Sequence, residues 1–269
     1  MKGTFLKWAG GKTWFALAQS DIFPKNYNKY IEPFLGSGAV FFYLKPDEAL
    51  LSDINQELIT TYCSIKNEVD DVCRYLDIHS KKHSKDYYYK IRETKTRKNY
   101  TTAARMIYLN KACFNGIYRV NKSGYFNVPI GSNRKIFFEK KELINTANLL
   151  KNASIKAQDF QTTIEEADKN DFLFCDPPYA VMNENGRFVS YTADLFTWED
   201  QVRLSISLGK ARKKGVKILM TNVDHPAVRE LYLKQGGFEL STVERFCKVS
   251  SNTKGRKNYQ ELIVSANLE

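Results

Sequence analysis

The sequence predicts an α/β fold, a Rossmann-like doubly wound sheet with an inserted, mostly helical segment carrying a β-hairpin. Three observations lead there. A strand, a glycine turn, a helix and a second strand follow one another between Tyr30 and Asp53. The same alternation returns after residue 153. Between them lies a segment with helical periodicity and its own charge balance. A chain of 269 residues, 43% of them hydrophobic, can bury a sizeable core.

Taken in order, Tyr30-Ile31-Glu32-Pro33-Phe34 reads as a short strand and Leu35-Gly36-Ser37-Gly38 as the turn after it. Ala39–Leu44 is an apolar helix, and Ala49–Asp53 is the next strand, ending in a carboxylate. A helix follows from about Asn55 to Asn67. In the segment 63–152, Ala103, Ala104, Ile107, Tyr108 and Lys111 share one helical face. The pattern breaks at Asn115-Gly116. Tyr118–Val120 and Tyr125–Val128, separated by Asn121-Lys122-Ser123-Gly124, then predict a hairpin. Later strands are expected at Ser154–Gln158, Phe172–Asp176, Val216–Thr221, Phe238–Val243 and Glu261–Ala266. Helices are expected at Trp198–Lys214, with Thr197 as N-cap, and at Pro226–Gln235. The expected organisation is one α/β domain made of 1–62 and 153–269, interrupted by the insertion 63–152.

The formal charge of +11 comes entirely from that insertion, which holds nineteen Lys/Arg against eight Asp/Glu; the rest of the chain holds 22 of each. Thr94–Phe138 has nine basic residues and no carboxylate, interleaved with Tyr100, Tyr108, Phe114, Tyr118, Tyr125, Phe126, Phe137 and Phe138. Cations neutralise phosphates, and flat rings stack on bases or wedge between them, so this composition points to nucleic acid. A solvated basic face over core aromatics is the plainer alternative. No apolar stretch approaches the length of a membrane span, and no secretory h-region opens the chain. Five cysteines without a Cys-x-x-Cys read as free thiols in a reducing compartment.

Three motifs carry chemistry. Asp176-Pro177-Pro178-Tyr179 ends an apolar strand. Its prolines fix a rigid turn that offers a carboxylate, the Pro177 carbonyl and an aromatic face. Two acceptors and a ring suit a planar amine. Glu32-Pro33-Phe34-Leu35-Gly36-Ser37-Gly38 lets a ligand approach the backbone. Phe41 stands where a dinucleotide fingerprint needs its third glycine, and Asp53 can accept from ribose hydroxyls. In Phe5-Leu6-Lys7-Trp8-Ala9-Gly10-Gly11-Lys12-Thr13, a P-loop fails because its first glycine would fall at Leu6. Trp8 and Lys12 could instead flank a nucleoside and a carboxylate. His79 and His83, spaced i, i+4 near Cys73, lack further metal ligands at a convincing offset.

In this order the motifs resemble the DNA adenine-N6 methyltransferases of the Dam type, over nearly the whole chain. The middle segment, Asn115-Gly116-Ile117-Tyr118-Arg119-Val120-Asn121 with Phe126-Asn127-Val128-Pro129, resembles members acting on GATC, and the tail Ser250-Ser251-Asn252 matches too. The resemblance implies a methyltransferase sheet, with the insertion as target-recognition domain. It implies methyl transfer from S-adenosyl-L-methionine to N6 of a flipped-out adenine in double-stranded DNA, leaving S-adenosyl-L-homocysteine. Asp176, Pro177, Pro178 and Tyr179 would be catalytic. Trp8, Ala9, Gly10, Lys12, Pro33, Phe34, Gly36, Ser37, Gly38, Asp53, Ile54, Asp159, Phe160 and Asp176 would meet the cofactor.

On the DNA side the resemblance places Lys7 at the outer base pair, Arg119 on guanine, Ile117 beside it, and Asn115 holding the duplex open. Phe114 stands where some members have an intercalating Tyr. Tyr118, Asn121, Asn127, Pro129, Arg134, Ser251 and Asn252 complete the set. A monomer working in the cytoplasm of a bacterial or phage-infected cell, beside the nucleoid, without metal or membrane, is the corresponding expectation. Restriction-modification, phage and solitary roles fit equally. An RNA adenine methyltransferase and a non-catalytic basic DNA-binding protein stay open as alternatives.

Overall fold

The computed structural model describes residues 4–121, 123–182, 188–190, 196–246 and 258–269. The chain forms two compact bodies, Met1–Ala18 with Leu35–Gln158, and Gln19–Phe34 with Asp159–Glu269.

In the first body, helix α1 (Thr13–Ala18) follows the Gly-Gly-Lys stretch and α2 (Ala39–Leu44) follows the glycine turn. Strand β2 (Ala49–Asp53) runs parallel to β3 (Ala153–Ala157), in register from Ala49↔Ala153 to Asp53↔Ala157. The chain between the two strands passes through helices, the crossover that parallel strands require. Helix α3 (Gln56–Lys82) starts at the Asn55 N-cap and runs far past the expected Asn67; a non-helical Glu68 marks a kink within it. With α4 (Lys85–Glu93), α5 (Asn99–Ala112) and α6 (Lys140–Leu150) it forms the helical part of the body. Its interior is apolar, with Ile65, Val72, Leu76, Tyr88, Ala103, Ile107 and Tyr108 fully or almost fully buried.

The expected hairpin is short: Val120 bridges Phe126 in antiparallel fashion, Asn121 N donates to Tyr125 O at 2.8 Å and Asn127 N to Arg119 O at 3.2 Å, and a further bridge outside it joins Cys113 and Ile130. The Asn121 side chain also accepts from the amides of Ser123 and Tyr125, so side-chain bonds supplement the backbone pairing at the tip.

In the second body, β1 (Tyr30–Glu32), β4 (Phe172–Cys175), β7 (Lys217–Val223), β9 (Asn258–Ala266) and β8 (Glu239–Phe246) are neighbours in that order. β1, β4 and β7 are parallel, whereas β9 is antiparallel to both β7 and β8. The four residues of β4 are all buried, which explains their continuous apolar run. Helices α7 (Phe160–Glu165), α8 (Trp198–Lys214) and α9 (Pro226–Gln235) accompany them. Thr197 caps α8 in a reciprocal capping box with Asp200, and Gly215 ends it at φ 86°. A separate antiparallel pair joins β5 (Ala180–Met182) and β6 (Phe188–Ser190). The α/β class is therefore the one expected.

Candidate functional site

Each body holds part of the expected constellation. In the first, β2 delivers Asp53 to its C-terminal end, where the carboxylate accepts from Gly36 N at 3.1 Å and Asn55 N at 3.0 Å. Burial pushes the Asp53 carboxyl pKa up, and the amides of Asn55, Gly36 and Ile54 pull it back toward the ionised form. Ile54 itself is exposed. The turn before α2 is tied by Gly38 N to Leu35 O at 2.7 Å and by Tyr62 Oη to Gly36 O at 3.0 Å, with Ser37 buried in it. Gly36 and Gly38 lie at φ 46° and 63°, and a Cβ on Gly36 would stand 2.8 Å from the Trp8 ring.

Trp8 is thus packed on Gly36 and also stacked on Tyr118, with centroids 4.8 Å apart at 21°. The Tyr118 hydroxyl bonds Glu57 at 3.2 Å, and Arg105 pairs with the same carboxylate at 3.0 Å. Burial, then the Glu57 charge, raises the Tyr118 phenol to about 12. Gly10 has φ 79°, and Lys12 is buried with its Nζ 3.5 Å from Gly10 O; Ala9 is exposed.

The basic insertion presents Phe114, Ile117 and Tyr125 to solvent at 53%, 42% and 52% exposure, while Tyr108 and Phe126 are buried. Asn115 (φ 56°) sits in the one-turn 3₁₀ element Phe114–Gly116, and Phe114 N donates to Pro129 O at 2.9 Å. Exposed Arg119 donates from Nε to Asn127 Oδ1 at 2.8 Å, fixing its guanidinium. Lys7, Asn121, Pro129 and Arg134 are exposed.

His79 and His83 are taken up by tyrosines: His79 Nδ1 meets Tyr87 Oη at 2.8 Å and His83 Nδ1 meets Tyr108 Oη at 2.7 Å. Among the described residues no group of three or more His, Cys, Asp or Glu could hold a metal, and no helix is long and apolar enough to cross a membrane. Cys63, Cys73, Cys113 and Cys175 are free thiols. Cys247, Ser251 and Asn252 lie outside the described residues.

In the second body, Asp176 follows β4 directly, and its Oδ1 accepts from Thr221 Oγ1 at 2.7 Å. Pro177 is buried and Pro178 exposed. The Tyr179 phenol is held protonated well above its ordinary pKa by burial, reinforced by the charges of Asp176 and Glu261. Phe34, which follows Pro33, stacks on Phe160 at 5.3 Å, and Phe196 packs against both rings. Asp159 caps α7 through Gln161 N at 2.9 Å. Arg203 pairs with both Asp159 oxygens, at 3.2 and 3.0 Å, and lies 4.5 Å over the Phe160 ring. Thr221, Glu261, Arg203, Glu57 and Asn110 carry no motif that marks them in the sequence.

The family model described as D12 class N6 adenine-specific DNA methyltransferase matches residues 8–249. A type II methyltransferase of Lactococcus lactis subsp. cremoris, M1.LlaDCHI, is 35% identical over 97% of this chain and 94% of its own. M.MjaIII, a type II methyltransferase of Methanocaldococcus jannaschii, is 40% identical over 81% of this chain and 83% of its own. The DNA adenine methylase of Escherichia coli K12 is 32% identical over 97% and 94%. With matches of this extent to both family and relatives, the chain belongs to the D12-class N6 adenine-specific DNA methyltransferases.

Proposed function

We propose that this DNA adenine methyltransferase draws its methyl group from S-adenosyl-L-methionine and modifies the adenine of GATC in duplex DNA. The observation that carries the reading is the Asp176 carboxylate, oriented by a fully buried threonine at the mouth of a double-proline turn.

The residues fit this cofactor. Left-handed glycines at 36 and 38 open the backbone to a ligand, with Ser37 between them. The Asp53 carboxylate at a strand end suits ribose hydroxyls, and Trp8, Ala9, Gly10, Lys12 and Ile54 belong to the neighbouring segments. Pro33, Phe34, Asp159 and Phe160 offer rings and a carboxylate to an adenine. When bound, S-adenosyl-L-methionine supplies an electrophilic methyl group on a sulfonium sulfur and is left as S-adenosyl-L-homocysteine.

Adenine N6 lies inside the duplex stack, so the base must be extruded, at a cost of a few kcal/mol. Exposed Phe114 can wedge into the gap, and Asn115 holds it open. Arg119, steadied by Asn127, reads a guanine, a contact worth about 1–3 kcal/mol of discrimination. Lys7 and Ile117 read neighbouring pairs. Tyr118, Asn121, Pro129 and Arg134 belong to the same basic segment as Arg119, and 63–152 acts as the target-recognition unit; Ser251 and Asn252 are assigned to the DNA by the family resemblance alone.

The lone pair of an adenine amine is delocalised into the ring. Asp176 and the Pro177 carbonyl accept the two N6–H bonds and favour a pyramidal nitrogen. Pro178, lacking an N–H, offers no competing donor. The Tyr179 ring stacks on the base. With the cofactor bound, Asp176 would offset the positive charge that grows on N6 as the nitrogen takes the methyl group from sulfur, and the N6 proton that must then leave would pass by way of that carboxylate to solvent.

The protein acts as a monomer, and its substrate places it with the nucleoid. Asp176→Ala is expected to abolish methyl transfer while DNA binding persists; near-wild-type turnover would overturn the mechanism. Plasmid methylation followed by methyl-sensitive GATC digestion tests the target.

A further inference from the structure

We propose that Asn110 is a positioning residue for target recognition, bolting the Lys7 segment to the recognition turn. The inference rests on the reading that Lys7 meets a base pair.

Residues 4–12 contain no strand or helix to fix them. Asn110, in the last turn of α5 and only 2% exposed, grips this segment instead. Lys7 N donates to Asn110 Oδ1 at 2.9 Å, and Asn110 Nδ2 donates to Lys7 O at 2.8 Å. One side-chain amide thus satisfies both main-chain groups of a single residue, as a neighbouring strand would. The same Nδ2 donates to Gly116 O at 3.1 Å. A single buried amide therefore joins two segments more than a hundred residues apart in sequence.

The second contact is steric. Gly116 has φ 68°, and a Cβ there would collide with the aliphatic stem of Lys7. The stem of Lys7 therefore passes over Gly116, between Asn115 and Ile117, while the residue as a whole stays exposed. The main chain and the stem are both set by the recognition turn, so the reach of the ammonium is measured from Phe114, Ile117 and Arg119. A flexible lysine held this way gives up less freedom when it contacts a base, and it contacts the same pair each time.

A purely structural staple would lower stability and depress activity on every substrate alike. A positioning residue changes discrimination at one base pair, and does so only while Lys7 is present. The test compares kcat/KM on a GATC duplex with kcat/KM on duplexes altered at the outer or at the inner pair, for wild type, Lys7→Ala, Asn110→Ala and the double variant. Melting temperatures are recorded alongside.

Lys7→Ala should lower outer-pair discrimination by roughly tenfold, within the range of one base contact. Asn110→Ala should lower it at least threefold, with inner-pair discrimination kept. The double variant should fall no further than Lys7→Ala. Gly116→Ala, which leaves Asn110 in place, should reproduce the outer-pair loss and carries the test if Asn110→Ala does not fold. Equal losses at all pairs, unchanged discrimination in both Asn110→Ala and Gly116→Ala, or losses that multiply in the double variant would overturn the inference. If Lys7→Ala itself keeps outer-pair discrimination, the base-reading role of Lys7 fails and the inference falls with it. If only Asn110→Ala and Gly116→Ala keep it, the reading stands and the inference alone is lost.

Discussion

Replacing Thr221 by valine removes the hydroxyl that holds Asp176 at the candidate catalytic turn and that also meets the Tyr179 phenol. Thr221 lies in the middle of β7, fully buried, and its hydroxyl is 2.7 Å from Asp176 Oδ1. Valine keeps the β-branched shape that suits a strand and removes the hydroxyl with both of its contacts. A hydrogen bond to a charged group contributes about 1.5–3 kcal/mol. If that bond serves to aim the carboxylate at N6, its loss appears in the barrier, as a fall in kcat of roughly ten- to a hundredfold. Substrate binding relies on other residues, so KM should move little. Single-turnover methylation of a short duplex measures the chemical step, and fluorescence anisotropy measures DNA affinity separately. A valine variant within twofold of wild-type kcat, folded and binding DNA normally, would show that the bond does not orient the carboxylate.

Three further outcomes are expected. Gly36→Ala meets both a left-handed φ and the Trp8 ring 2.8 Å away, so it should cost about 1–2 kcal/mol of stability and weaken S-adenosyl-L-homocysteine binding at least tenfold by calorimetry; an unchanged affinity would detach this turn from the cofactor. Tyr118→Leu removes the stack on Trp8 and the bond to Glu57, and a loss of about 0.5–1.5 kcal/mol predicts a severalfold weaker affinity in the same titration. His79, 7% exposed, has its pKa lowered to about 4 by burial first and by the charges of Arg105 and Lys82 after it. Its neutral ring therefore contributes stability in full above the unfolded value near 6.5, and that contribution is lost as pH falls toward 4, by up to about 3 kcal/mol. The stability gap between wild type and His79→Gln in urea melts should narrow over that window; a gap independent of pH would refute it.

Local punctuation explains which elements were legible in the sequence. Ala39–Leu44, Ala49–Asp53, Trp198–Lys214 and Pro226–Gln235 begin and end where expected, because glycines, a proline at N1 and the Thr197 cap mark their ends. Helix α3 outran its expected end because a kink at Glu68, with no proline or glycine, interrupts the periodicity without stopping the chain. The six-residue helices α1 and α7 are too short for a periodic signal. The basic hairpin was legible from its Gly-containing turn; the Asn121 side chain, which takes up the Ser123 and Tyr125 amides, keeps its backbone pairing short. The motif residues of the candidate site were readable as types at fixed spacing. Their partners were not: Thr221 reaches Asp176 across 45 positions and Asn110 reaches Lys7 across 103, distances at which only the folded chain creates the contact.

The antiparallel strand β9 follows β8 in sequence yet lies between β8 and β7, with Ile263 opposite Thr221. During synthesis, then, the strand bearing Thr221 emerges about forty residues ahead of the neighbour that seals its flank. Strand β9, paired with β8 on its other side, is what covers that flank of β7. A chain that carries β7 without β9 would consequently leave the strand bearing Thr221, and with it the bond to Asp176, at the open edge of the sheet.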